Sequence, residues 1–281
     1  MGFSRRIEQR RKNTKNIFKI TKTMELVSKV KFQKAMRCAN QFQQYKEKFF
    51  HVLQDTFLSS FSHELLAKRE NSKHIALLVI AGNRGLCGNY NTAIVEQTIQ
   101  AREQFLSEAK EVDIYTAGKK AFFAFQYKDI PVKEEYHLSD DRPSMDSIVF
   151  LANHFIDAFQ KKDYDEVWIL YTYKMRIVKE CLLPIAVAEQ KAEEEEEDYI
   201  LYSPERKVLL ESLLPHSIQI QIYSALLNAI VSEQTARMLA MKQASENAEN
   251  MIKELTKQYN RARQAQITRE MLEILSGVEI K

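Results

Sequence analysis

The strongest constraint in this sequence is a run of 61 residues, from His216 to Ser276, that contains neither glycine nor proline. Pro215 directly precedes the run and Gly277 directly follows it. In a helix interior glycine costs about 1 kcal/mol and proline about 3 kcal/mol, so their absence over this length predicts one continuous helix. At about 1.5 Å per residue the helix would be roughly 90 Å long, which is more than a globular domain can enclose. We therefore expect part of it to lie outside any globular core of this chain.

Apolar and small residues recur within this run at spacings of mostly three, four or seven, which is the pattern of a coiled-coil seam. Polar and small residues interrupt the seam in the middle, so it suits an asymmetric partner better than a second copy of itself. The predicted seam consists of Tyr223, Leu227, Ile230, Gln234, Met241, Ala248, Ile252, Leu255, Tyr259 and Ala262.

A second run without glycine or proline covers residues 3–65 and predicts a second long helix. Two long helices at opposite ends of one chain, joined through a folded middle, would pair in antiparallel orientation. The apolar residues that recur at helical intervals in this run are Ile7, Ile17, Ile20, Met24, Val27, Val30, Met36, Phe42, Phe49 and Leu53.

The segment between the two runs has the alternating pattern of an α/β domain. HIALLVIA at 74–81 is a continuous apolar run, as expected of a buried parallel strand. We predict an α/β Rossmann-like domain with an open sheet, plus a long antiparallel coiled coil of the two terminal helices. The predicted domains are 1–65, 66–214 and 215–281, with further strands at 112–117, 132–136, 166–173 and 181–187, helices at 91–110, 119–127 and 144–161, and a short helix within 203–214.

The sharpest local motif is the glycine loop GNRGLCG at 82–88, between the first predicted strand and the following helix. It matches neither G-x-G-x-x-G nor the P-loop, so the favoured interpretation is a tight turn rather than a phosphate cradle. We find no catalytic triad, no metal-ligand spacing and no cofactor motif, and we expect no catalytic, metal or cofactor-binding residue. A nucleotide-dependent enzyme that uses this loop is one alternative, which ligand-induced thermal stabilisation would reveal.

The net charge of +3 is unevenly distributed along the chain. Residues 1–50 contain fourteen Lys and Arg against three Glu, whereas residues 189–198 contain seven acidic residues against one lysine. A basic helix of this kind is typical of a solvated face or of a surface that meets an acidic protein. A second alternative is a nucleic-acid-binding coiled-coil protein, whose binding would depend steeply on salt.

Several stretches closely resemble the gamma subunit family of the F-type rotary ATP synthases. KITKTMELV at 19–27 resembles the amino-terminal signature of that family, and NRGLCG at 83–88 resembles its glycine loop. SEQTARMLAMK at 232–242 and YNRARQAQIT at 259–268, followed by EILSG at 273–277, resemble its carboxyl-terminal signature. Because these stretches lie at both ends and in the middle, the resemblance covers essentially the whole chain.

The resemblance implies a rotor function. In that family the coiled coil is the central shaft within a ring of three alpha and three beta subunits. The globular domain binds the epsilon subunit and rests on the membrane ring of c subunits. The shaft couples ion-driven rotation of the c ring to ATP synthesis, and the catalytic sites belong to beta. We therefore expect a non-catalytic subunit without a cofactor, without nucleic acid, and in contact with the membrane only through the c ring.

Four residues on the predicted shaft match family contacts with the beta subunits. Met24 lies near the contact with the beta lever region, and Arg237 matches the arginine that meets a beta loop called the catch. Gln264 and Thr268 match polar residues of a second contact near the top of the shaft. The resemblance thus predicts that these four side chains bind partners.

Tyr202 and Glu205 lie in the segment that resembles the family's contact with the c ring. Ser203, between them, stands where acidic residues are common in the family. The chain lacks the regulatory insert of the chloroplast members and has no apparent transit peptide, which points to a bacterial protein. We expect it to be a peripheral subunit on the cytoplasmic face of the inner membrane.

Overall fold

Long helices form both ends of the chain, and alternating strands and helices lie between them in sequence. The computed structural model describes residues 2–57, 61–69, 72–137, 143–186 and 202–278, and within these ranges the side chains of residues 5–272. The helices are α1 (Gly2–Thr56), α2 (Tyr90–Ser107), α3 (Lys119–Tyr127), α4 (Met145–Gln160) and α5 (Arg206–Val278), with a 3₁₀ turn at Glu64–Leu66. The strands are β1 (His74–Ile80), β2 (Glu111–Ala117), β3 (Val132–Tyr136), β4 (Glu166–Tyr173) and β5 (Arg176–Leu183).

The strands form one mixed sheet in the order β3-β2-β1-β4-β5. Strands β1 to β4 are parallel, and β5 pairs with β4 in antiparallel orientation. The strand order reverses at β1, because β2 lies on one side of it and β4 on the other. This open sheet with its helices confirms the predicted α/β domain.

Both faces of the sheet are covered. Leu77 and Val79 of β1 belong to one apolar cluster, which includes Phe125 of α3 and residues of α2. Leu78 belongs to the opposite cluster, which includes Phe155 of α4, the end of α1 and the beginning of α5. Because successive strand residues point to opposite faces and both faces are buried, β1 is apolar at every position after the first.

Helix α5 begins at Arg206 and continues through Pro215 to Val278. The predicted break before residue 216 and the separate short helix are therefore wrong. Proline costs a helix interior about 3 kcal/mol, since it lacks an N–H and its ring clashes with the preceding turn. Burial outweighs that cost here, because each fully buried large aliphatic side chain contributes about 1.5–3 kcal/mol. The buried stripe around the proline consists of Leu210, Leu214, Ile218, Ile222 and Leu226.

The chain divides into two compact units, and each contains part of α1 and part of α5. Unit 1 is Met1–Lys29 with Arg237–Lys281, and unit 2 is Val30–Ala236. The predicted domain limits of 1–65, 66–214 and 215–281 follow a different criterion, the change from long helix to sheet, and stay a prediction.

Within unit 1, side chains of α1 contact side chains of α5. The Arg11 guanidinium lies 4.7 Å from the ring centroid of Tyr259, and Ser245 Oγ donates to a carboxylate oxygen of Glu25 at 3.5 Å. Because the later residue on α1 meets the earlier residue on α5, the two helices run in opposite directions over these contacts.

Within unit 2, aromatic side chains connect the same two helices. The Phe42 and Tyr223 rings meet edge to face with centroids 4.5 Å apart. The Tyr45 hydroxyl lies 3.0 Å from Nε2 of His216, whose ring also packs edge to face on Phe49. These contacts again pair later residues of α1 with earlier residues of α5.

The apolar residues that recur at helical intervals on α1 are only partly buried. Ile7, Phe49 and Leu53 are buried, whereas Ile17, Ile20, Val27, Val30 and Met36 are 39–66% exposed. Small and hydroxyl side chains occupy several of the other buried positions, at Thr14, Ser28, Ala35 and Thr56. The ten residues predicted for the seam of α5 are all buried or half-buried. Buried or half-buried positions repeat every seven residues on α1, and Leu53 is buried in addition to them. The repeating positions are Ile7, Thr14, Thr21, Ser28, Ala35, Phe42, Phe49 and Thr56, of which Thr21 and Phe42 are half-buried.

The predicted ranges of β3, β4 and α3 are confirmed, whereas β5 and α1 differ in extent. Strand β5 spans Arg176–Leu183 rather than 181–187 because a tight hairpin joins it to β4. The turn residues of this hairpin, Lys174 and Met175, both have positive φ, and neither residue type signals such a turn. Helix α1 ends at Thr56, earlier than predicted. The acidic loop predicted at 188–198 lies outside the described residues.

Asp165 holds the beginning of β1 in place. Its carboxylate accepts hydrogen bonds from the backbone N–H groups of Lys73 and His74 and from the Arg69 guanidinium, at 2.8, 3.0 and 3.0 Å. Burial alone would raise the pKa of Asp165, but the two backbone donors and Arg69 outweigh it, and the pKa falls below the ordinary 3.8. The ionised carboxylate therefore contributes to stability.

We predict that Asp165→Asn lowers the free energy of unfolding at pH 7 by about 1.5–3 kcal/mol, the usual contribution of hydrogen bonds to a charged group. A pKa that is lower in the folded state gives stability that is present above pH 3.8 and lost as the pH falls through the folded value. Urea unfolding at pH 7 and pH 3 measures this difference, with the exposed Asp157→Asn as the control. A difference that is independent of pH would contradict the charge argument.

Gly118, between β2 and α3, is required by the backbone. Its φ is +133°, and a Cβ atom added there would lie 2.1 Å from the carbonyl oxygen of Ala81. Gly85 offers a matched comparison, because a Cβ atom there would meet nothing closer than Lys120 Cε at 4.0 Å.

We predict that Gly118→Ala lowers the free energy of unfolding by about 3 kcal/mol or more, since strain of 1–3 kcal/mol adds to the clash. Gly85→Ala should change it by less than about 0.5 kcal/mol. Urea unfolding followed by circular dichroism measures both, and equal losses would refute the strain argument.

Candidate functional site

The residues predicted to bind partners lie in both units. The predicted contacts with beta belong to unit 1, and the predicted contacts with the c ring lie at or just before the start of α5 in unit 2. The former are Met24, Arg237, Gln264 and Thr268, and the latter are Tyr202 and Glu205.

The four residues of unit 1 differ in exposure. Gln264 and Thr268 are exposed, and the Thr268 hydroxyl donates to the Gln264 carbonyl oxygen at 3.0 Å, one helical turn earlier. Met24 is half-buried. Arg237 is only 7% exposed, so most of its side chain is covered within the chain itself. Gln264 and Thr268 thus present the most accessible surface of the four.

Unit 1 exposes an unusual number of large apolar side chains. On α1 these residues alternate with exposed cations such as Lys19 and Lys22. Exposed apolar side chains are ordinary when isolated, whereas large contiguous apolar patches mark surfaces that contact another molecule. The exposed large apolar residues of unit 1 are Ile17, Ile20, Leu26, Val27, Leu239, Met251, Ile267, Met271 and Leu272.

Tyr202 takes part in a small cluster that connects the start of α5 to the end of α1. The Tyr202 hydroxyl donates to the Asp55 carbonyl oxygen at 3.2 Å, and the Arg206 guanidinium donates to the same oxygen. The guanidinium also lies 4.5 Å from the centroid of the Tyr202 ring. Glu205 is exposed. The arrangement holds Tyr202 against α1 and leaves the Glu205 side chain accessible.

The glycine loop uses its polar groups within the chain. The Gly82 N–H donates to Asn91 Oδ1 at 2.9 Å, and Asn91 Nδ2 donates to the Arg84 carbonyl oxygen at 3.2 Å. Asn83 Oδ1 accepts from the backbone N–H of Lys119 at 3.0 Å. The N–H of Gly82, which a phosphate site would direct at its ligand, is thus already bonded. This agrees with the tight-turn interpretation.

Helix α5 fills the crevice at the carboxyl end of β1. This crevice adjoins the point where the strand order reverses, which is where open α/β sheets bind ligands. Ala229 and Glu233 of α5 line it together with Tyr90 and Gly118, and the cavity left between them measures about 30 Å³. That volume has room for only a few water molecules. The space that a nucleotide would need is occupied by the protein itself.

Ionisable groups with shifted pKa values lie at the opposite, amino edge of the sheet. Asp113 accepts from Lys133 Nζ at 2.6 Å and from the Tyr164 hydroxyl at 2.7 Å. Burial would raise the pKa of Asp113, but these hydrogen bonds outweigh it and the pKa is lowered. Burial also raises the pKa of the Cys181 thiol to about 11, which makes it a poor nucleophile. The hydrogen bonds of Asp113 connect β2 to Lys133 of β3 and to Tyr164.

The side chains that the described ranges contain converge on no metal-ligating group of three or more. None of the helices in these ranges contains an apolar stretch long enough to cross a membrane.

Sequence reasoning missed the residues by which α5 meets the sheet. They are small or polar and do not follow the apolar seam, so hydrophobic periodicity could not find them. Their spacing along one face of a helix, next to a glycine-rich loop, was the available signal. These residues are Ala229, Ser232, Glu233 and Ala236.

Comparison with known proteins identifies close relatives over the full length. A family profile described as ATP synthase matches residues 4–280. The ATP synthase gamma chain of Geobacter metallireducens is 37% identical over 99% of both chains. That of Rhodopirellula baltica is 33% identical, again over 99% of both chains.

Solved structures share the fold at lower identity. A chain of the Euglena gracilis mitochondrial ATP synthase rotor, in rotational state 1, aligns with a TM-score of 0.64 at 20% identity, over 95% of this chain and 99% of that one. A second chain, from a structure of the same synthase described as OSCP/F1/c-ring, aligns with a TM-score of 0.65 at 19% identity, over 99% of this chain and 94% of that one.

We predict that Asn91→Ala lowers the free energy of unfolding by about 1–3 kcal/mol, because it leaves the buried Gly82 N–H without its acceptor. Asn89, exposed at the start of α2 and without a side-chain capping bond, is the matched control. Asn89→Ala should cost less than about 0.5 kcal/mol. Thermal melting of both variants checks this, and equal effects would show that the loop does not depend on Asn91.

Proposed function

The chain belongs to the ATP synthase gamma chain family, and on that premise we propose that it is the central rotor shaft of a bacterial F-type ATP synthase. In this proposal the rotation of a membrane ring turns the α/β domain, and α1 with α5 carries the rotation to the catalytic subunits. The single observation that carries the proposal is the full-length similarity to bacterial gamma chains at 33–37% identity.

We further propose that α1 and α5 form an antiparallel coiled coil. The seven-residue repeat of buried positions on α1 supports this, as do the pairs Arg11 with Tyr259 and Glu25 with Ser245. The proposed domains remain 1–65 and 215–281 for the two helices and 66–214 for the α/β domain. Small residues at the seam would bring the two helices close together and turn their larger apolar residues outward.

The exposed apolar residues of unit 1 support a role in contact with an enclosing ring. A helix that is apolar on its exposed side is normally covered by another molecule. Apolar contact has no preferred direction, so a shaft can turn in an apolar collar without breaking hydrogen bonds at each step. We propose the alpha and beta subunits as this collar.

Met24, Gln264 and Thr268 are the proposed points of contact with beta on this shaft. Arg237 is proposed as a fourth contact on the strength of its match to the family motif. Since its side chain is 7% exposed, only a small part of the guanidinium can meet a partner. Arg237→Lys, which keeps the charge, would separate that contact from the structural role that burial implies.

The proposed contacts at the other end of the rotor are Tyr202 and Glu205 with the c ring, and the α/β domain with the epsilon subunit. The exposed carboxylate of Glu205 supports the first of these. The chain would thus reach the membrane only through the c ring, as a peripheral subunit on the cytoplasmic face. One of the similar structures is described as OSCP/F1/c-ring, which supports this set of partners.

The chain is proposed to be non-catalytic within an ATP synthase. The internally bonded glycine loop and the crevice filled by α5 support this and weigh against the nucleotide-dependent enzyme. The nucleic-acid-binding alternative has no support among the named relatives. Coupling would arise because each rotor angle presents a different face to each beta subunit, so different angles stabilise different beta conformations.

Met24→Lys tests the function in the complex purified from the native membrane through a tag on this chain. We expect alpha, beta, epsilon and c subunits to copurify with it. A lysine at this position can form a charge-assisted hydrogen bond of about 1.5–3 kcal/mol to a beta carboxylate and hold one rotor angle. The ratio of proton pumping to ATP hydrolysis in reconstituted vesicles should therefore fall.

Met36→Lys is the matched control, since it makes the same change at an exposed position of the same helix, in unit 2. It should leave the ratio unchanged. Absence of the other subunits from the purified material would refute the proposed function. An unchanged ratio in Met24→Lys would refute only the role of Met24.

A further inference from the structure

One face of α5 meets the carboxyl edge of the sheet in unit 2. Ala229, Ser232, Glu233 and Ala236 are separated by three, one and three residues, which places them on one side of a helix. Ala229, Ser232 and Ala236 are buried. This face is small and polar, in contrast to the large apolar stripe that α5 presents earlier in its sequence.

Two buried hydrogen bonds fasten this face to different parts of the α/β fold. The Tyr90 hydroxyl, at the start of α2, donates to the Ala229 carbonyl oxygen at 3.2 Å. The Ser232 hydroxyl donates to the Thr172 carbonyl oxygen near the end of β4 at 2.9 Å. In both cases a side-chain hydroxyl reaches a main-chain carbonyl, so each bond depends on the rotation of α5 about its own axis.

The glycine loop is a third part of the α/β fold that lies close to this face of α5. A Cβ atom added to Gly82 would lie 3.0 Å from both Cδ and Oε1 of Glu233. Gly82 is buried, and its φ lies outside the left-handed region, so the close approach of Glu233 and of Asn91 Oδ1, at 3.1 Å, explains the glycine better than backbone strain does. The glycine loop that follows β1 therefore lies close to the Glu233 side chain of α5.

We propose that this arrangement is the joint through which the α/β domain transmits torque to α5. We call it the α5 socket, formed by Gly82, Tyr90 and Thr172 around Ser232 and Glu233. The apolar stripe earlier in α5 holds the helix against the sheet by close packing, but its contacts are not directional. Directional hydrogen bonds that join this face to α2 and to β4, with the glycine loop close to Glu233, oppose rotation of the helix.

The inference rests on the proposed rotor function and adds the place at which torque passes from the α/β domain to α5. It also accounts for the filled crevice, since the place where an open α/β sheet would bind a ligand holds a helix instead. Helix α5 then continues without interruption to Val278, so a torque applied at the socket acts on the same helix that bears Gln264 and Thr268.

The test measures torsional stiffness in the whole complex, from the angular fluctuations of a probe fixed to the exposed position 127 through Tyr127→Cys. The socket variant is Tyr90→Phe with Ser232→Ala, which removes both hydroxyls and keeps the size of the side chains. We expect its stiffness to fall at least twofold, while ATP hydrolysis without load stays within error of the wild type.

Tyr173→Phe with Ser212→Ala is the control. Tyr173 and Ser212 are exposed, and the Ser212 hydroxyl donates within its own helix, to the Leu209 carbonyl oxygen. The control should be as stiff as the wild type. Equal stiffness of the socket variant and the wild type, with both rotating, would overturn the socket. A wild-type complex that does not rotate would instead overturn the rotor function.

A second measurement serves if the socket variant does not assemble. In the full isolated chain, Gly82→Ala should lower the melting temperature because its Cβ meets Glu233. Adding Glu233→Ala should restore at least half of that loss, as expected of two residues in direct contact. Additive losses would show that the loop and α5 are not mechanically connected, and would overturn the socket.

Discussion

The packing of α5 against the central sheet is the interaction on which the rest of unit 2 depends. From Leu210 to Leu226 the helix buries one large aliphatic side chain in each turn. The same cluster includes residues of α1, α4 and β1, so these elements share one core with the beginning of α5. This shared burial holds the helix continuous through Pro215, and it sets the position of the polar face that follows.

Unit 1 distributes its apolar residues in the opposite way. Thr14 and Ser28 are buried on α1, whereas Ile17, Ile20 and Val27 are exposed. In a protein that functions alone, this arrangement would be unfavourable, because apolar area would stay in water while hydroxyl groups are buried. The arrangement suits a helix whose outward side is covered by a partner and whose inward side must carry small side chains. The distribution of residues is therefore itself an argument for an enclosing partner.

The sequence predicted the sheet well because burial on both faces leaves a clear local pattern. Strands β1 and β4 are buried along most of their length, and their apolar runs mark them closely. The start of α5 was misplaced because the cost of Pro215 is local while the burial that outweighs it comes from the rest of the domain. The apolar periodicity of α1 did not show which side this chain buries, because it indicates which residues avoid water without telling whether this chain or another covers them. The polar face of α5 left no apolar pattern at all.

The burial of α1 and the polar face of α5 were both missed for one physical reason, which also bears on how the fold can transmit rotation. Hydrophobic patterning identifies contacts that stabilise a fold, and such contacts tolerate sliding because they are not directional. A part that turns inside a ring needs contacts of this kind on its outside. A part that must not turn relative to its base needs directional bonds instead, such as those of Tyr90 and Ser232. The residues that sequence patterning overlooks in α5 are therefore the ones expected where rotation has to be resisted.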